Sequence, residues 1–206
     1  MDYITWLTNI KSMRAILRGW VRFGAKCGLI GALFFSVMWM VAIFVDGNWI
    51  LGKETLSELG GNRPGALFFN SGVITEGFLC LFYGLGLLHA IRKGILQRAG
   101  IAILLIASFA LIMVGVFPIT TGFAHGIASY SFFGMSLLAI LILVYPLWKE
   151  DRFGPNVGIV TLGSAIVSLA FLFATTVPLA EVVAVICLLI WSSLISILML
   201  TRDEGN

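Results

Sequence analysis

Glu76 is the ionisable residue whose position in this sequence most suggests chemistry, because it lies in the middle of the apolar run of residues 66–88. If that run is a membrane-spanning helix, a rise of about 1.5 Å per residue places the carboxyl group about 15 Å from either surface. Burying an ionisable group there is costly, so we expect Glu76 to be protonated or hydrogen-bonded. Gly72 and Tyr83 share its helical face and would supply room and a hydroxyl partner. A neutral structural role and a ligand-binding role both remain open.

A second set of polar residues follows or begins apolar runs on one side of the predicted bundle: Asp46, Glu58, Asn70, His125, Ser129 and Glu181. If the helices close into a ring, these side chains converge near one surface. One imidazole and two carboxylates could bind a metal or perform acid–base chemistry on a headgroup. The catalytic candidates are therefore His125, Glu58 and Glu181. The ligand-binding candidates are Asn70, Glu76, His125 and Ser129.

Short sequence motifs for metal, nucleotide or nucleophilic sites are missing from the sequence. It contains no HExxH, no CxxC pair, no nucleophile elbow and no phosphate-binding glycine loop. We therefore predict neither a metal nor a cofactor. Cys27, Cys80 and Cys187 all fall within apolar runs, where cysteine usually behaves as a small hydrophobic residue. No disulfide is expected.

The depth of Glu76 separates it from the other candidates. Asn70 and Glu76 are six residues apart, which in a helix means about 9 Å in depth and about 120° around the axis. The two side chains cannot point into one narrow pocket without a kink or a wide cavity. We therefore predict two separate sites, with headgroup binding dependent on His125 and largely independent of Glu76.

The elements that position these residues follow from composition, since 60% of the residues are hydrophobic and 11% are charged. Soluble domains carry about 45–50% apolar and about 25% charged residues. Apolar runs of about 20 residues separated by short charged clusters predict an all-α, polytopic membrane protein with six spans in one bundle. The predicted spans are residues 25–45, 66–88, 100–117, 125–147, 157–177 and 181–200.

The first span and the segment before it have further patterns. Residues 1–22 place tryptophan and aliphatic side chains on one face and basic side chains on others, which predicts an amphipathic helix on the membrane surface. Small residues recur every four positions at Gly24, Gly28, Ala32 and Ser36, so another helix can approach span one closely. Residues 201–206 are predicted to form a short tail.

The distribution of Lys and Arg predicts orientation. Of 13 such residues, only Lys53 and Arg63 fall on the side of the polar set. The positive-inside rule therefore places both termini in the cytoplasm, for a multi-pass protein of the cell membrane. Because the basic residues serve as topological signals beside span ends, nucleic acid is not an expected partner. Membrane lipids are expected partners, and a homo-oligomer remains open.

Three segments carry a family resemblance: LSELG at 56–60, PGALFFNSG at 64–72, and GVFP at 115–118 followed by His125. They resemble the domain-of-unknown-function 998 family of prokaryotic, often archaeal, membrane proteins. A fainter similarity connects the chain to the eukaryotic six-span group of autophagy-modulator and GPI-anchor-remodelling proteins. The resemblance implies a six-span fold without an assigned activity, and its motifs include Ser57, Gly60, Asn70, Pro118 and His125. Glu76 lies outside this pattern.

Three kinds of function fit the sequence. The first is a protein that binds or modifies a lipid or other amphiphile through an outward-facing polar pocket. The competing explanation is that the LSELG loop folds over the bundle and uses the same polar side chains to hydrogen-bond its own backbone. The second is a small proton-coupled transporter that uses Glu76. The third is a scaffold or sensor without chemistry. Whether the protein is an enzyme is left open.

Overall fold

The computed structural model describes residues 3–91 and 94–202. The described chain forms seven α-helices and one short 3-10 helix, Ile119–Thr121. The α-helices are α1 (Tyr3–Asp46), α2 (Leu56–Leu59), α3 (Ala66–Ala90), α4 (Ile95–Val116), α5 (Phe123–Lys149), α6 (Pro155–Ala174) and α7 (Val177–Thr201). All except α2 are long and apolar enough to cross a membrane. The predicted all-α, six-span membrane fold is confirmed.

The ends of α1 and α7 differ from the predicted boundaries. Helix α7 begins at Val177, four residues before the predicted start. Pro178 lies in its first turn, where backbone N–H groups have no partner within the helix, so proline loses no hydrogen bond there. Glu181 therefore lies inside α7. Helix α1 continues from Tyr3 into the span. The interfacial helix over residues 1–22 stays a prediction, since the side chains of residues 1–11 and of Arg14 lie outside the described part. Arg92, Lys93 and residues 203–206 lie outside it too.

The six spans form a closed ring. Each long helix packs against the next one in the chain, from α1 through α3, α4, α5 and α6 to α7, and α7 returns to pack against α1. The short helix α2 contacts α1 and α7 at one end of this ring. We call this the α2 end and the opposite one the terminal end. The α4–α5 and α6–α7 connections also lie at the α2 end, since successive spans alternate in direction.

Glycines bring α1 close to its neighbours. A Cβ atom at Gly24 would lie 2.5 Å from the Cα of Gly86 on α3, so the two backbones touch. A Cβ at Gly28 would lie 2.6 Å from the Tyr83 ring and would also collide with Ser196 of α7. The predicted role of the small-residue stripe is thereby confirmed, because close approach of helices in membranes depends on such residues.

Buried side chains form two hydrophobic clusters inside the ring. One contains Tyr83, Leu143 and Trp191, and the other, which includes α2, contains Phe35, Leu56 and Phe69. The outer surfaces of the spans expose large apolar side chains such as Phe44, Phe109 and Ile166. This inverse arrangement of lipid-facing apolar residues and a partly polar interior is expected in a bilayer. A cavity lies where the two clusters meet.

Candidate functional site

The helix ring encloses a chamber of about 80 Å³. Its walls come from α1, α3, α4, α5 and α7, and α2 contributes Leu56 and Ser57 at one end. Most of the lining is apolar, and ten of the lining residues carry a polar group: Ser57, Glu76, Cys80, Tyr83, Ser108, Ser129, Ser136, Glu181, Trp191 and Ser192. The chamber therefore offers an apolar path with hydrogen-bonding groups at separate depths.

Glu76 is buried in the chamber wall, with 5% of its surface exposed. The Cys80 thiol, one helical turn further along α3, donates to Glu76 Oε1 at 3.3 Å. Glu76 Oε2 has no hydrogen-bond partner among the described residues. It lies against Gly31 of α1, where any Cβ would collide with it. One carboxyl oxygen therefore retains its hydrogen-bonding capacity in an apolar environment.

Tyr83 was predicted to be the hydroxyl partner of Glu76, and this is wrong. Its hydroxyl is buried and has no partner within the described residues. The ring instead packs edge to face against Trp191, with centroids 6.1 Å apart. The indole N–H of Trp191 donates to Thr161 Oγ1 of α6 at 3.0 Å. Tyr83 and Trp191 therefore form a fixed aromatic wall beneath Glu76, with a free hydroxyl.

Glu181 connects the chamber to α2. Its Oε2 accepts the backbone N–H of Leu56 at 3.1 Å, and its Oε1 accepts the Ser57 hydroxyl at 3.0 Å. The first amides of any helix lack internal acceptors, so this carboxyl group caps α2 from another span. Leu56 and Leu59 are almost fully buried below the cap. Helix α2 thus closes the chamber, and Glu181 holds it in place.

Glu58 and Asn70 bind within the connection between α1 and α3 and do not line the chamber. Glu58 Oε2 accepts the backbone N–H of Thr55 at 2.5 Å. Asn70 Nδ2 donates to the carbonyl oxygen of Gly60 at 2.9 Å, which joins the end of α2 to α3. Both side chains satisfy backbone groups of the loop, as buried polar groups must be satisfied.

His125 is buried near the α4–α5 connection and contacts the chamber through Ser129. Since a carbonyl oxygen only accepts, His125 Nδ1–H donates to the Phe117 carbonyl, 2.7 Å away. In the neutral ring, Nε2 is then an acceptor, and the Ser129 hydroxyl donates to it at 3.1 Å. Ser129 lines the chamber, whereas His125 does not. The imidazole is oriented by the backbone and can act as a base toward one chamber serine.

Glu181 and Ser129 line the same chamber as Glu76, whereas Asn70 and His125 do not line it. That headgroup binding depends on His125 and is largely independent of Glu76 stays a prediction. The chamber runs along the inside of a closed ring, so residues from different spans reach it at different depths. Across residues 3–91 and 94–202, no three His, Cys, Asp or Glu side chains are grouped closely enough to bind a metal.

Arg63 organises the rest of the α1–α3 connection. Its guanidinium pairs with Asp46 at 3.1 Å and also with Glu54. The hydrogen bond from Arg63 holds the pKa of Glu54 below its usual value. Glu54 in turn raises the pKa of Arg63. Asp46, predicted to join the polar set, is therefore used to fix the loop.

Some chamber residues were not found from the sequence, notably Cys80, Ser108, Trp191 and Ser192. Cys80 was interpreted as a buried apolar residue, although its spacing of four from Glu76 could have indicated the thiol–carboxyl contact. The two serines and Trp191 lie in strongly apolar runs with no distinguishing pattern. Only the packing of spans distant in sequence brings them to one cavity.

Comparison with known proteins gives a family match. The family described as "Protein of unknown function (DUF998)" matches residues 29–198, which includes every residue of the chamber. Neither the curated proteins nor the solved structures compared with this chain gave a significant match.

Proposed function

The chain belongs to the DUF998 family of proteins of unknown function, and from its own geometry we propose that it binds a slim amphiphile inside the helix ring. The observation that supports this is the chamber itself, an apolar cavity within the spans with polar groups near α2 and at Glu76. Ligand sites are typically concave and mostly apolar, with a few placed polar groups. Membrane lipids or molecules derived from them are the natural source of such a ligand.

The size of the chamber limits the ligand. One buried water needs at least about 10–15 Å³, and a cavity of about 150 Å³ holds benzene. At about 80 Å³ the chamber accepts several waters or a narrow group such as a single alkyl segment. It has no space for a complete two-chain phospholipid. The group bound in the chamber is therefore a short-chain amphiphile or one small part of a lipid.

Selectivity has to come from the polar residues of the chamber. An alkyl chain that leaves the bilayer gains little from apolar walls, because lipid tails are already apolar. A hydrogen bond in the chamber contributes more to binding than contact with the apolar walls, since the hydrocarbon region offers the ligand few other hydrogen-bond partners. Ser57, Ser129 and Glu76 lie at different positions along the chamber and can distinguish ligands by where their polar group lies.

Native mass spectrometry of the detergent-purified protein tests this proposal. Ala107 lines the chamber on α4, so Ala107→Phe should fill it and abolish retention of any co-purified amphiphile. The matched control is Ala102→Phe on the lipid-exposed face of the same helix, which should retain it. Equal retention in both variants would mean that the molecule binds elsewhere.

A second candidate is hydrolysis of an ester by Ser129 with His125 as its base. The observation that favours it is the Ser129–His125 hydrogen bond, with the imidazole oriented by the Phe117 carbonyl. A nucleophile, its base and an orienting group are the usual parts of such a site. A fluorophosphonate probe should label wild type and Ser136→Ala, another chamber serine, but not Ser129→Ala. Absence of labelling in the wild-type protein would count against an enzyme of this type.

The proton-coupled carrier remains a weaker alternative based on Glu76. Midplane sites in transporters usually involve discontinuous helices. Helix α3, which carries Glu76, runs continuously from Ala66 to Ala90. This geometry favours a binding chamber over a transport pathway.

We also propose that the α2 end faces outward and both termini face the cytoplasm of a cell-membrane protein, as the charge distribution predicts. Single cysteines introduced into a cysteine-free background test this orientation. A membrane-impermeant maleimide added to whole cells should label position 53 in the α2 connection and should not label position 151 in the α5–α6 connection. The opposite labelling pattern would reverse the orientation.

A further inference from the structure

We infer that the ligand of the chamber is a lipophilic amine, bound with its ammonium group against Glu76 and its alkyl part along the apolar walls. This inference rests on the proposed function, because it names the chemical class that the chamber would select. Three independent features of the lining support it: its charge, its free acceptor atoms and its aromatic content.

The charge of the chamber is one-sided. Two carboxyl side chains, Glu76 and Glu181, line it, and the described lining residues include no Lys, Arg or His. An anionic headgroup would have no counter-charge and would lie close to two acidic groups in a medium that screens poorly. Phosphate and carboxylate ligands are therefore disfavoured, which leaves neutral and cationic ones.

The free acceptors distinguish the two carboxyl groups. Both oxygens of Glu181 accept hydrogen bonds from α2, so this side chain is committed to closing the chamber. Glu76 Oε2 has no partner within the described residues, nor has the Tyr83 hydroxyl two turns further along α3. Both atoms are buried, so lipid or bulk water does not satisfy them. Glu76 Oε2 lies against Gly31 of α1, so an ammonium group in the chamber reaches it when the Glu76 carboxyl group turns toward the chamber. An ammonium group carries three donors and no acceptor, and so complements an unpaired carboxyl oxygen.

Aromatic rings surround the same space. Six of the lining residues are aromatic: Phe35, Phe69, Tyr83, Phe132, Phe133 and Trp191. The negative faces of such rings attract desolvated cations, and tryptophan and tyrosine do so most effectively. An alcohol would gain the hydrogen bond to Glu76 but neither the ion pair nor the cation–π contribution. An amine uses all three features together.

Three probes of equal chain length that suit a chamber of about 80 Å³ separate the possibilities: propylammonium, propanol and propanoate at pH 7. The melting temperature of the purified protein is measured against the concentration of each probe, since a ligand that binds the folded state raises it. We expect propylammonium to bind wild type at least about tenfold more tightly than propanol, because charged hydrogen bonds exceed neutral ones by roughly that factor. Propanoate should not stabilise the protein.

Substitution of Glu76 decides whether this preference has the proposed origin. Glu76→Gln keeps the shape and should bring the affinities for propylammonium and propanol to within about twofold. Glu76→Asp keeps the charge and should preserve part of the preference. If neither variant folds, the ratio of the two affinities in wild type alone decides the inference.

Each contrary outcome identifies what has failed. If propanol binds wild type as tightly as propylammonium, or if Glu76→Gln leaves the preference unchanged, the amine inference is overturned while amphiphile binding stands. If no probe stabilises wild type more than the chamber-filled Ala107→Phe variant, the proposed function itself is refuted.

Discussion

The α2 end and the deep part of the chamber differ in how their polar groups are used. At the α2 end, Glu58, Asn70 and Glu181 all bond to the backbone or side chains of residues 55–60. In the deep part, Glu76 Oε2 and the Tyr83 hydroxyl are buried without partners in the described chain. The site candidate is therefore marked by unused hydrogen-bonding capacity, and the density of polar residues is a poor guide to it.

The difference has a simple cause. The α1–α3 connection has irregular backbone, and its buried N–H and C=O groups need acceptors and donors from side chains. Within α3 the backbone satisfies itself, so a polar side chain there has no structural task. Polar residues near loops are needed for closure, whereas those in mid-span require another explanation.

The largest expected effect comes from the scaffold of the deep region. Gly28→Leu places a side chain where Tyr83 and Ser196 already lie, and should destabilise the protein by about 3 kcal/mol, at the upper end of overpacking costs. Thermal unfolding in detergent measures it. Gly19→Leu on the same helix is the control, because no atom lies within 4 Å of a Cβ there. Similar melting of both variants would show that α1 can move away from Tyr83.

Removal of the cap on α2 should have the next largest effect. Glu181→Ala leaves the Leu56 amide and Ser57 hydroxyl without their acceptors, and we expect a loss of about 2 kcal/mol. Hydrogen exchange should increase in residues 55–60 first. Glu181→Gln, which retains one acceptor oxygen, should lose less. Unchanged hydrogen exchange in the alanine variant would show that α2 is held in place by Leu56 and Leu59 alone.

Hydropathy was sufficient for the number and class of the spans, because the bilayer imposes their length and polarity. Hydropathy could not predict the chamber. Glu76 was recognised from its depth alone, but its partner Cys80 and the wall formed by Trp191 depend on helix rotation and on ring closure, which are determined by packing between distant spans. Helix α7 begins four residues before the predicted start of span six, because Pro178 lies within its first turn.

A smaller effect is expected at the other end of α2. Asn70→Ala removes the hydrogen bond to the Gly60 carbonyl and should cost about 1 kcal/mol. Ser71→Ala is a suitable control, since that hydroxyl only bonds within α3. Equal stability of the two variants would show that the hydrogen bond from Asn70 to Gly60 does not contribute to closing the chamber.

The smallest effect is expected at the loop surface and depends on pH. The hydrogen bond from Arg63 lowers the pKa of Glu54 in the folded protein. The ion pair therefore stabilises the fold above the unfolded-state pKa of Glu54, about 4.3, and this stabilisation is lost as the pH falls through the folded-state pKa. Glu54→Gln should therefore melt slightly below wild type at pH 7, and the difference should shrink as the pH falls below about 4.3. A difference that stays constant as the pH falls would mean that the ion pair is not its source.

The contact between α1 and α7 has a consequence for biosynthesis. Five of the spans enter the bilayer before α7, which supplies Glu181, Trp191 and the last section of the chamber wall. Until α7 docks, the ring is open between α6 and α1, and helix α2 lacks its cap. The chamber wall and the cap of α2 are therefore completed in the same assembly step. A chain arrested before α7 would present the Glu76 carboxyl group to the bilayer.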